Sequence, residues 1–262
     1  MENMPIWLTY FTSILFGLIF GSFVNVVILR LPKGQSLVRP NSRCPKCKKA
    51  IRWWDNIPVL SFLVLRGKCR KCHKEISLRY PVIELLTALL FLTCRVKFGW
   101  TPVLFFRDWP LMMLFVSVAF IDLEHHIIPD QLSLGGLGLG LATCWAVPQL
   151  GWKSSVFGAL LGFSVFYALA WSYQKVRKVS GLGGGDIKFL ATIGAFLGPA
   201  GVVATIFISS VVGSLVGVGW AVVAKKQKLL KLSIPYGPFL VIGALYYYFL
   251  GDILWFQFMT PM

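Results

Sequence analysis

Two aspartates stand where apolar segments of the chain meet polar ones. Asp122 closes the apolar run 114–121, and Asp186 follows the stretch Gly181-Leu182-Gly183-Gly184-Gly185 and opens another apolar segment. Two carboxylates that share a site cannot both ionise easily, so one keeps its proton while the other acts as a base. Such a pair can activate water and protonate a leaving amine. If the two aspartates meet, the chemistry they support is peptide hydrolysis.

Each aspartate also has a structural explanation. Asp is a favoured N-cap residue, and Asp186 fits that role at the start of a helix. Asp122 fits it less well, because a carboxylate near a helix C-terminus is opposed by the helix macrodipole. An ionisable residue in a membrane-spanning segment is a functional candidate by default. The residues alone therefore leave two alternatives, a catalytic pair or two ordinary helix-end residues.

Four cysteines fall into two closely spaced pairs, Cys44-Pro45-Lys46-Cys47 and Cys69-Arg70-Lys71-Cys72. Each pair presents two thiolates from one tight turn, and two such turns complete the tetrahedral shell of a structural zinc ion. The alternative is a pair of disulfides or redox-active dithiols, which a reducing cytosol disfavours. We expect His73 at the surface, and Cys94 and Cys144 in helix packing.

The composition identifies the elements that must position these residues. Mean hydropathy is +0.72, and 56% of residues are apolar while 14% are charged, against about a quarter charged in soluble domains. Several apolar stretches approach the roughly 20 residues that cross a bilayer as a helix. The sequence predicts an all-α polytopic membrane protein with about eight transmembrane helices and a small zinc-ribbon-like insert. The predicted segments are 8–29, 81–98, 103–121, 131–147, 155–173, 187–197, 200–223 and 235–256.

The distribution of basic residues predicts the orientation of these helices. Residues 30–79 hold 14 of the 26 Lys and Arg residues. With the N-terminus outside, 22 basic residues lie on the cytosolic side, including the loop 225–231, and 4 lie outside, as the positive-inside rule requires. The net charge of +16 thus indicates contact with anionic lipid rather than with nucleic acid.

Two of the apolar segments need separate comment. The first lacks a basic flank at its N-terminal side and is longer than the apolar core of a signal peptide, so we expect a retained transmembrane helix. The segment 187–197 is short for a span. It is expected to be a tilted helix in a thinned region or a helix broken at Gly198-Pro199.

The motifs around these residues resemble those of a known family. Gly183-x-Gly185-Asp186 resembles the Gly-x-Gly-Asp motif of intramembrane aspartyl proteases. Asp122-Leu123-x-x-x-x-Ile128-Pro129-Asp130 resembles the first catalytic motif of the type IV prepilin peptidases. Further resemblance to their first helix and cytosolic domain is carried by Gly21-Ser22-Phe23-x-Asn25-Val26-Val27, Arg30-Leu31-Pro32, Arg39-Pro40, both cysteine pairs, Asn56-Ile57-Pro58 and Arg79-Tyr80-Pro81-x-x-Glu84.

The resemblance implies a bifunctional enzyme of the bacterial inner membrane. It implies that Asp122 and Asp186 cut the basic leader from prepilin or pseudopilin precursors at the cytosolic face. It also implies that the new N-terminal amine is methylated with S-adenosylmethionine, in association with the insert and Glu84. The implied domains are 1–30, the first transmembrane helix; 31–80, the insert whose four cysteines hold zinc; and 81–262, the membrane-embedded protease.

Two hypotheses and two rivals complete this interpretation. Glu124 or Asp130 is a candidate contact for the basic residue of the leader, although a plain loop role fits each equally well. One rival is a protease of the presenilin or signal-peptide-peptidase type, which predicts no zinc-ribbon insert. The other rival is a non-catalytic membrane scaffold or transporter that uses a zinc ribbon to bind a partner.

Overall fold

The computed structural model describes residues 5–178, 183–223 and 235–259, and these are almost entirely helical. In place of strands, the described residues contain two isolated β-bridges. The helices are α1 Ile6–Arg30, α2 Leu60–Val64, α3 Arg79–Phe98, α4 Trp109–His125, α5 Asp130–Thr143, α6 Gly151–Arg177, α7 Gly184–Val223 and α8 Gly237–Met259. Short 3₁₀ turns occur at Leu31–Lys33, Trp53–Asn56 and Cys144–Ala146, and a π-helical turn occurs at Leu104–Asp108.

The predicted all-α membrane fold is confirmed. All eight predicted apolar segments fall on helices, with 187–197 and 200–223 both in α7. By length and composition, four stretches of the described residues suffice to cross a membrane: Ile6–Lys33, Leu104–His125, Gly151–Arg177 and Gly184–Trp220. The crossing of the shorter helices stays a prediction. The predicted loop 225–231 and the glycine-run residues Gly181 and Leu182 lie outside the described residues.

The chain forms two compact units, Met1–Ser117 and Val118–Met262. In the first unit, α1 packs along α3. Asn25 of α1 donates its side-chain amide to the carbonyl oxygen of Tyr80, at 3.2 Å, and the side chain of Ser22 hydrogen-bonds to the Glu84 carboxylate. These contacts bring together two motifs, one on α1 and one at the start of α3, that are far apart in the sequence.

In the second unit, α7 packs against α5, α6 and α8. The α7 backbone leaves the helical conformation at Gly198, with φ 70° and ψ −175°. A glycine is suited to this position because a positive φ strains other residues, and Pro199 follows it. Helix α7 is therefore two helical pieces joined at Gly198, which is the break that the sequence suggested. Ser155 of α6 donates to the carbonyl oxygen of Ala195 at 2.6 Å, just before the break.

Candidate active site and metal site

Asp122 lies in the last turn of α4 and is 5% exposed. Its Oδ2 accepts a hydrogen bond of 2.7 Å from the backbone N–H of Gly237, the first residue of α8. Its own carbonyl oxygen accepts the N–H of His126 at 2.9 Å, where α4 ends. The Asp122 carboxylate is thus buried and fixed by a helix that begins 115 residues later in the chain.

Asp186 lies in the first turn of α7 and is half-buried. Its backbone N–H donates to the carbonyl oxygen of Gly183 at 3.1 Å, and the Gly183 backbone also hydrogen-bonds to the Asp186 carboxylate. The Asp186 carboxylate interacts electrostatically with that of Asp122. The structure therefore brings the two aspartates together at the end of one helix and the start of another.

Three contacts join the loop after Asp122 to the start of α7. A Cβ atom on Gly185 would lie 2.9 Å from the Cβ of Ile128, so these backbones approach closely. Lys188 Nζ pairs with Asp130 Oδ1 at 2.7 Å, and the Thr192 hydroxyl donates to the carbonyl oxygen of Ser133 at 2.6 Å. The buried Thr192–Ser133 hydrogen bond and the close approach of Gly185 to Ile128 hold together the backbones that carry the two carboxylates, whereas the exposed Lys188–Asp130 pair contributes little free energy.

Gly237 is a residue of this site that the sequence interpretation missed. A Cβ atom at position 237 would lie 2.8 Å from Asp122 Oδ2 and 3.2 Å from its Cγ. Its glycine identity is therefore explained by the space that the Asp122 carboxylate occupies. The sequence Pro235-Tyr236-Gly237-Pro238 is typical of the start of a helix. It does not indicate contact with an aspartate that is distant in the chain.

The four cysteines of the insert converge on one point. Their Sγ atoms all lie within 4.8 Å of one another, and all six cysteines of the chain are free. The distance between the Sγ atoms of Cys44 and Cys72 is 3.9 Å, close to the edge of about 3.8 Å in a tetrahedron with zinc–sulfur bonds of about 2.3 Å. The cluster therefore fits a four-coordinate metal ion.

The two cysteine turns have the same construction. Lys48 donates its N–H to the Cys44 carbonyl oxygen at 2.9 Å, and His73 does the same to Cys69 at 2.9 Å. Lys48 and His73 both have positive φ, 59° and 53°. His73 therefore occupies the same turn position as Lys48 in the other pair. The candidate metal ligands are the four cysteine sulfurs, and His73 is not among them.

The two thiols of the second cysteine pair differ in acidity. Backbone N–H groups of Cys72 and Lys71 lower the pKa of Cys69 to about 7. The N–H of Lys74 also favours the Cys72 thiolate, yet burial and the neighbouring sulfurs raise the pKa of Cys72 to about 11. Four adjacent thiolates repel one another, so a cluster of this kind is suited to a bound divalent cation.

Glu84 links the insert to the helices of the first unit. It is 6% exposed, and its Oε2 accepts the backbone N–H of Val59 at 2.8 Å. Ser22 of α1 bonds to the same carboxylate. The Glu84 carboxylate is thus bonded to both α1 and the insert.

Comparisons with known proteins identify the family. A family model described as "Bacterial Peptidase A24 N-terminal domain" matches residues 15–98, which include the four cysteines. The model described as "Type IV leader peptidase family" matches residues 109–218, which include both aspartates. The chain belongs to the type IV leader peptidase family. The predicted resemblance is confirmed, although Gly237 lies beyond the matched ranges.

Individual relatives extend the similarity over most of the chain. The "Type 4 prepilin-like proteins leader peptide-processing enzyme" of Escherichia coli is 37% identical over 252 residues, covering 87% of this chain and 89% of the relative. A "Prepilin leader peptidase/N-methyltransferase" of Neisseria gonorrhoeae is 33% identical, covering 91% and 90%. One of Myxococcus xanthus is 42% identical over 202 residues, covering 77% of this chain and 60% of the relative. No solved structure matches the chain.

The contact between Gly237 and Asp122 leads to a prediction about Gly237→Ala. The added methyl group displaces the Asp122 carboxylate, and a displacement of about 1 Å in a catalytic group costs about 100-fold in rate. We expect kcat for peptide cleavage to fall by about that factor while KM changes less than about threefold. Steady-state kinetics on purified protein in nanodiscs measures both constants.

Gly138→Ala is the matched control, because a Cβ at this α5 position meets nothing within 4 Å. Alanine also favours a helix over glycine, so cleavage by this variant should equal that of the wild type. Wild-type kcat in Gly237→Ala would show that position 237 does not hold Asp122 in place.

Proposed function

We propose that this protein cleaves the leader peptide of type IV prepilins or pseudopilins and then methylates the new N-terminal amine. The observation that carries the proposal is that the backbones bearing Asp122 and Asp186 are packed together, at Gly185–Ile128 and Thr192–Ser133, with the two carboxylates near enough to interact, within the range matched by the leader-peptidase family. The names of the relatives support both activities. The scaffold or transporter alternative is not favoured, and a presenilin-type protease does not account for the cysteine cluster.

The two carboxylates divide the work of hydrolysis. The ionised aspartate takes a proton from a water molecule, whose oxygen attacks the carbonyl carbon of the scissile peptide bond. The protonated aspartate donates a hydrogen bond to the carbonyl oxygen. The proton that the other aspartate took from water then passes to the leaving amine as the carbon–nitrogen bond breaks. Peptide cleavage on this scheme needs both side chains and no metal ion, because the residues supply the base and the acid themselves.

Asp122→Asn and Asp186→Asn test the pair separately. Asparagine keeps the shape of the side chain but can neither accept the proton from water nor share one, so each variant should lose at least about 1,000-fold in cleavage rate. Cleavage is measured as the mobility shift of a prepilin in nanodiscs. Each variant should still methylate a pre-cleaved pilin, which shows that it is folded. Cleavage at the wild-type rate in either variant would remove the assignment.

The orientation that we propose places both aspartates at the cytosolic face of the bacterial inner membrane. The excess of basic residues on one side supports it, because basic loops stay in the cytosol. A prepilin presents an apolar helix preceded by a basic leader, which therefore lies on that same side. The positive leader also suits a site that contains two acidic side chains.

Asp130 and Glu124 are candidates for recognising the basic residue of the leader. Both are exposed on the segment that follows Asp122, and Asp130 is paired with Lys188. A leader lysine or arginine that contacts Asp130 would exchange with Lys188, since both cations need the same carboxylate. The exposed pair makes such an exchange inexpensive, because surface ion pairs contribute little free energy.

Charge reversal tests this recognition. Asp130→Lys and Glu124→Lys are compared on a native prepilin and on a prepilin whose leader lysine is changed to glutamate. At the contact residue, reversal should raise KM for the native substrate about 2- to 5-fold, the effect expected of a pair worth about 0.2–1 kcal/mol. The reversed leader should restore the lost affinity. Equal KM values for all combinations would exclude both residues from leader recognition.

Methyl transfer is the second proposed activity. The amine of the new N-terminal residue, once it has lost its proton, would accept a methyl group from S-adenosylmethionine, whose sulfur would leave as the neutral thioether of S-adenosylhomocysteine. We propose that Glu84 serves this activity as a positioning residue, because its carboxylate holds Val59 of the insert. Direct contact between Glu84 and the cofactor, which the resemblance implied, stays a prediction.

Zinc is the metal that we propose for Cys44, Cys47, Cys69 and Cys72. Four thiolates in a tetrahedron form a closed structural site, which leaves no open position for a substrate. The insert of about 50 residues is too small to hold a large apolar core, so the metal stabilises its fold. The zinc site is therefore separate in role from the two aspartates.

Metal analysis tests the zinc assignment. The wild type should contain about one zinc ion per chain, and Cys69→Ser should lose most of it, because a structural site needs all four ligands. Cys144→Ser is the control, since Cys144 is a buried cysteine outside the cluster and should leave the zinc content unchanged. Inductively coupled plasma mass spectrometry measures the content. Full zinc content in Cys69→Ser would contradict the assignment.

A further inference from the structure

The insert between α1 and α3 exposes several large apolar side chains. They lie on the turn Trp53–Asn56 and on α2, which contact each other. Trp53 is 77% exposed, Leu63 63% and Val64 74%. We call the exposed set the apolar patch: Trp53, Trp54, Leu60, Leu63 and Val64. Large exposed apolar side chains grouped on two contacting elements indicate an interaction surface.

The patch has an ordered geometry. The rings of Trp53 and Trp54 pack edge to face with centroids 5.4 Å apart. Leu60, Leu63 and Val64 follow the spacing that places side chains on one face of a helix. Arg52 lies over the Trp54 ring at 5.3 Å, so a cation borders the patch. Aromatic, aliphatic and basic groups are thus combined in one short segment.

Glu84 ties this segment to the start of α3. Val59, the residue before α2, donates its N–H to Glu84 Oε2 at 2.8 Å. Glu84 is five residues after Arg79, where α3 begins, which corresponds to about 7.5 Å along the helix axis. The patch therefore begins at the level of the first two turns of α3, rather than far out in the solvent.

A second tether holds the segment to the metal cluster. Arg70, between the two cysteines of the second pair, donates to both oxygens of Asp55 at 3.0, 3.0 and 2.8 Å. The guanidinium lowers the pKa of Asp55, so the pair is ionised at neutral pH. The turn that carries the two tryptophans is thus fixed to the cysteine turn by a two-pronged ion pair.

The charge around the patch favours an anionic partner. Residues 30–79 contain 14 Lys and Arg residues and 2 acidic residues, Asp55 and Glu75. Tryptophan, aliphatic side chains and surrounding cations together match the boundary between phospholipid head groups and acyl chains. The cytosolic leaflet is also negatively charged, which complements this insert.

We propose that the apolar patch inserts into the cytosolic leaflet and holds the metal-binding insert against an anionic phospholipid surface. The proposal rests on the orientation given under Proposed function. The tryptophan pair and the face of α2 enter the interfacial layer at the level of Glu84. The basic side chains of the insert meet the phosphate groups. The insert is then a membrane-bound domain that lies in the interface, not a loop surrounded by water.

The occupant that we propose is lipid rather than a pilin segment. A pilin helix needs a groove, whereas α2 offers one face of a five-residue helix. A lipid surface imposes no such shape, and basic charge at its boundary strengthens the contact. Capture of a pilin by the patch is the alternative outcome that an experiment must distinguish.

Site-specific photocrosslinking tests the proposal directly. Val64 is replaced by p-benzoylphenylalanine in the full-length protein, in nanodiscs of phosphatidylglycerol and phosphatidylethanolamine with prepilin present. Val38 is the matched control, because it is a valine of the same insert that is 81% exposed and lies outside the patch. Irradiation should add a phospholipid mass at position 64 and several-fold less at position 38.

Each other outcome overturns the proposal. A pilin adduct at position 64 would make the patch a substrate surface, and equal lipid adducts at both positions would show unspecific contact. An absence of adducts would place the patch in water. Cleavage and methylation are measured in the same samples, so failure of the proposed function is seen independently of the lipid adduct.

Val64→Glu gives a functional readout, with Val38→Glu as its control. A carboxylate in the patch is repelled by the anionic surface, so the methylated fraction of pilin should fall several-fold while leader cleavage stays at the wild-type rate. The zinc content of Val64→Glu should be unchanged, which separates loss of docking from unfolding of the insert. Wild-type methylation by Val64→Glu would contradict a role for membrane docking in methyl transfer.

Discussion

The mutual repulsion of two carboxylates is the constraint around which the second unit is built. Asp122 and Asp186 interact electrostatically, and the pair is costly to hold together when both groups are ionised. Their positions come from the backbones that carry them. The Lys188–Asp130 pair, the Thr192–Ser133 hydrogen bond and the close approach of Gly185 to Ile128 all join those two backbones. The packing of these segments therefore holds the two carboxylates near each other against their electrostatic repulsion.

The first unit depends on one carboxylate in a different way. Glu84 is buried and bonded to Ser22 of α1 and to Val59 of the insert. Burying a carboxylate raises the free energy of the folded protein unless its oxygens accept hydrogen bonds. The bonds from Ser22 and Val59 therefore offset the cost of burying Glu84, and they also hold α1 and the insert in place. The same acid therefore joins a membrane helix, its neighbour and the metal-binding insert. Glu84 thus joins structural elements, whereas for the acids of the second unit we propose a catalytic role.

Much of this could be predicted from the sequence because the signals are local. The apolar segments follow from composition, and the helix break follows from the dipeptide Gly198-Pro199. The convergence of Cys44 and Cys72 follows from the spacing of the two cysteine pairs. The pairing of the aspartates followed from their equal depth in the membrane and from motif resemblance. Sequence could not give the Gly237 contact, because the donor is a backbone N–H that every residue except proline has. Nor did it reveal that Glu84 is occupied by Val59, which depends on tertiary packing.

The bond between Gly237 and Asp122 also orders events during synthesis of the chain. Asp122 reaches the membrane with α4, but its N–H donor belongs to α8 and is made 115 residues later. Until α5, α6 and α7 have been inserted, the carboxylate lacks the partner that fixes it. A nascent chain that stops short of α8 has both aspartates and still lacks the finished site. On the function proposed for the two aspartates, hydrolytic competence is therefore acquired only after α8 has been made.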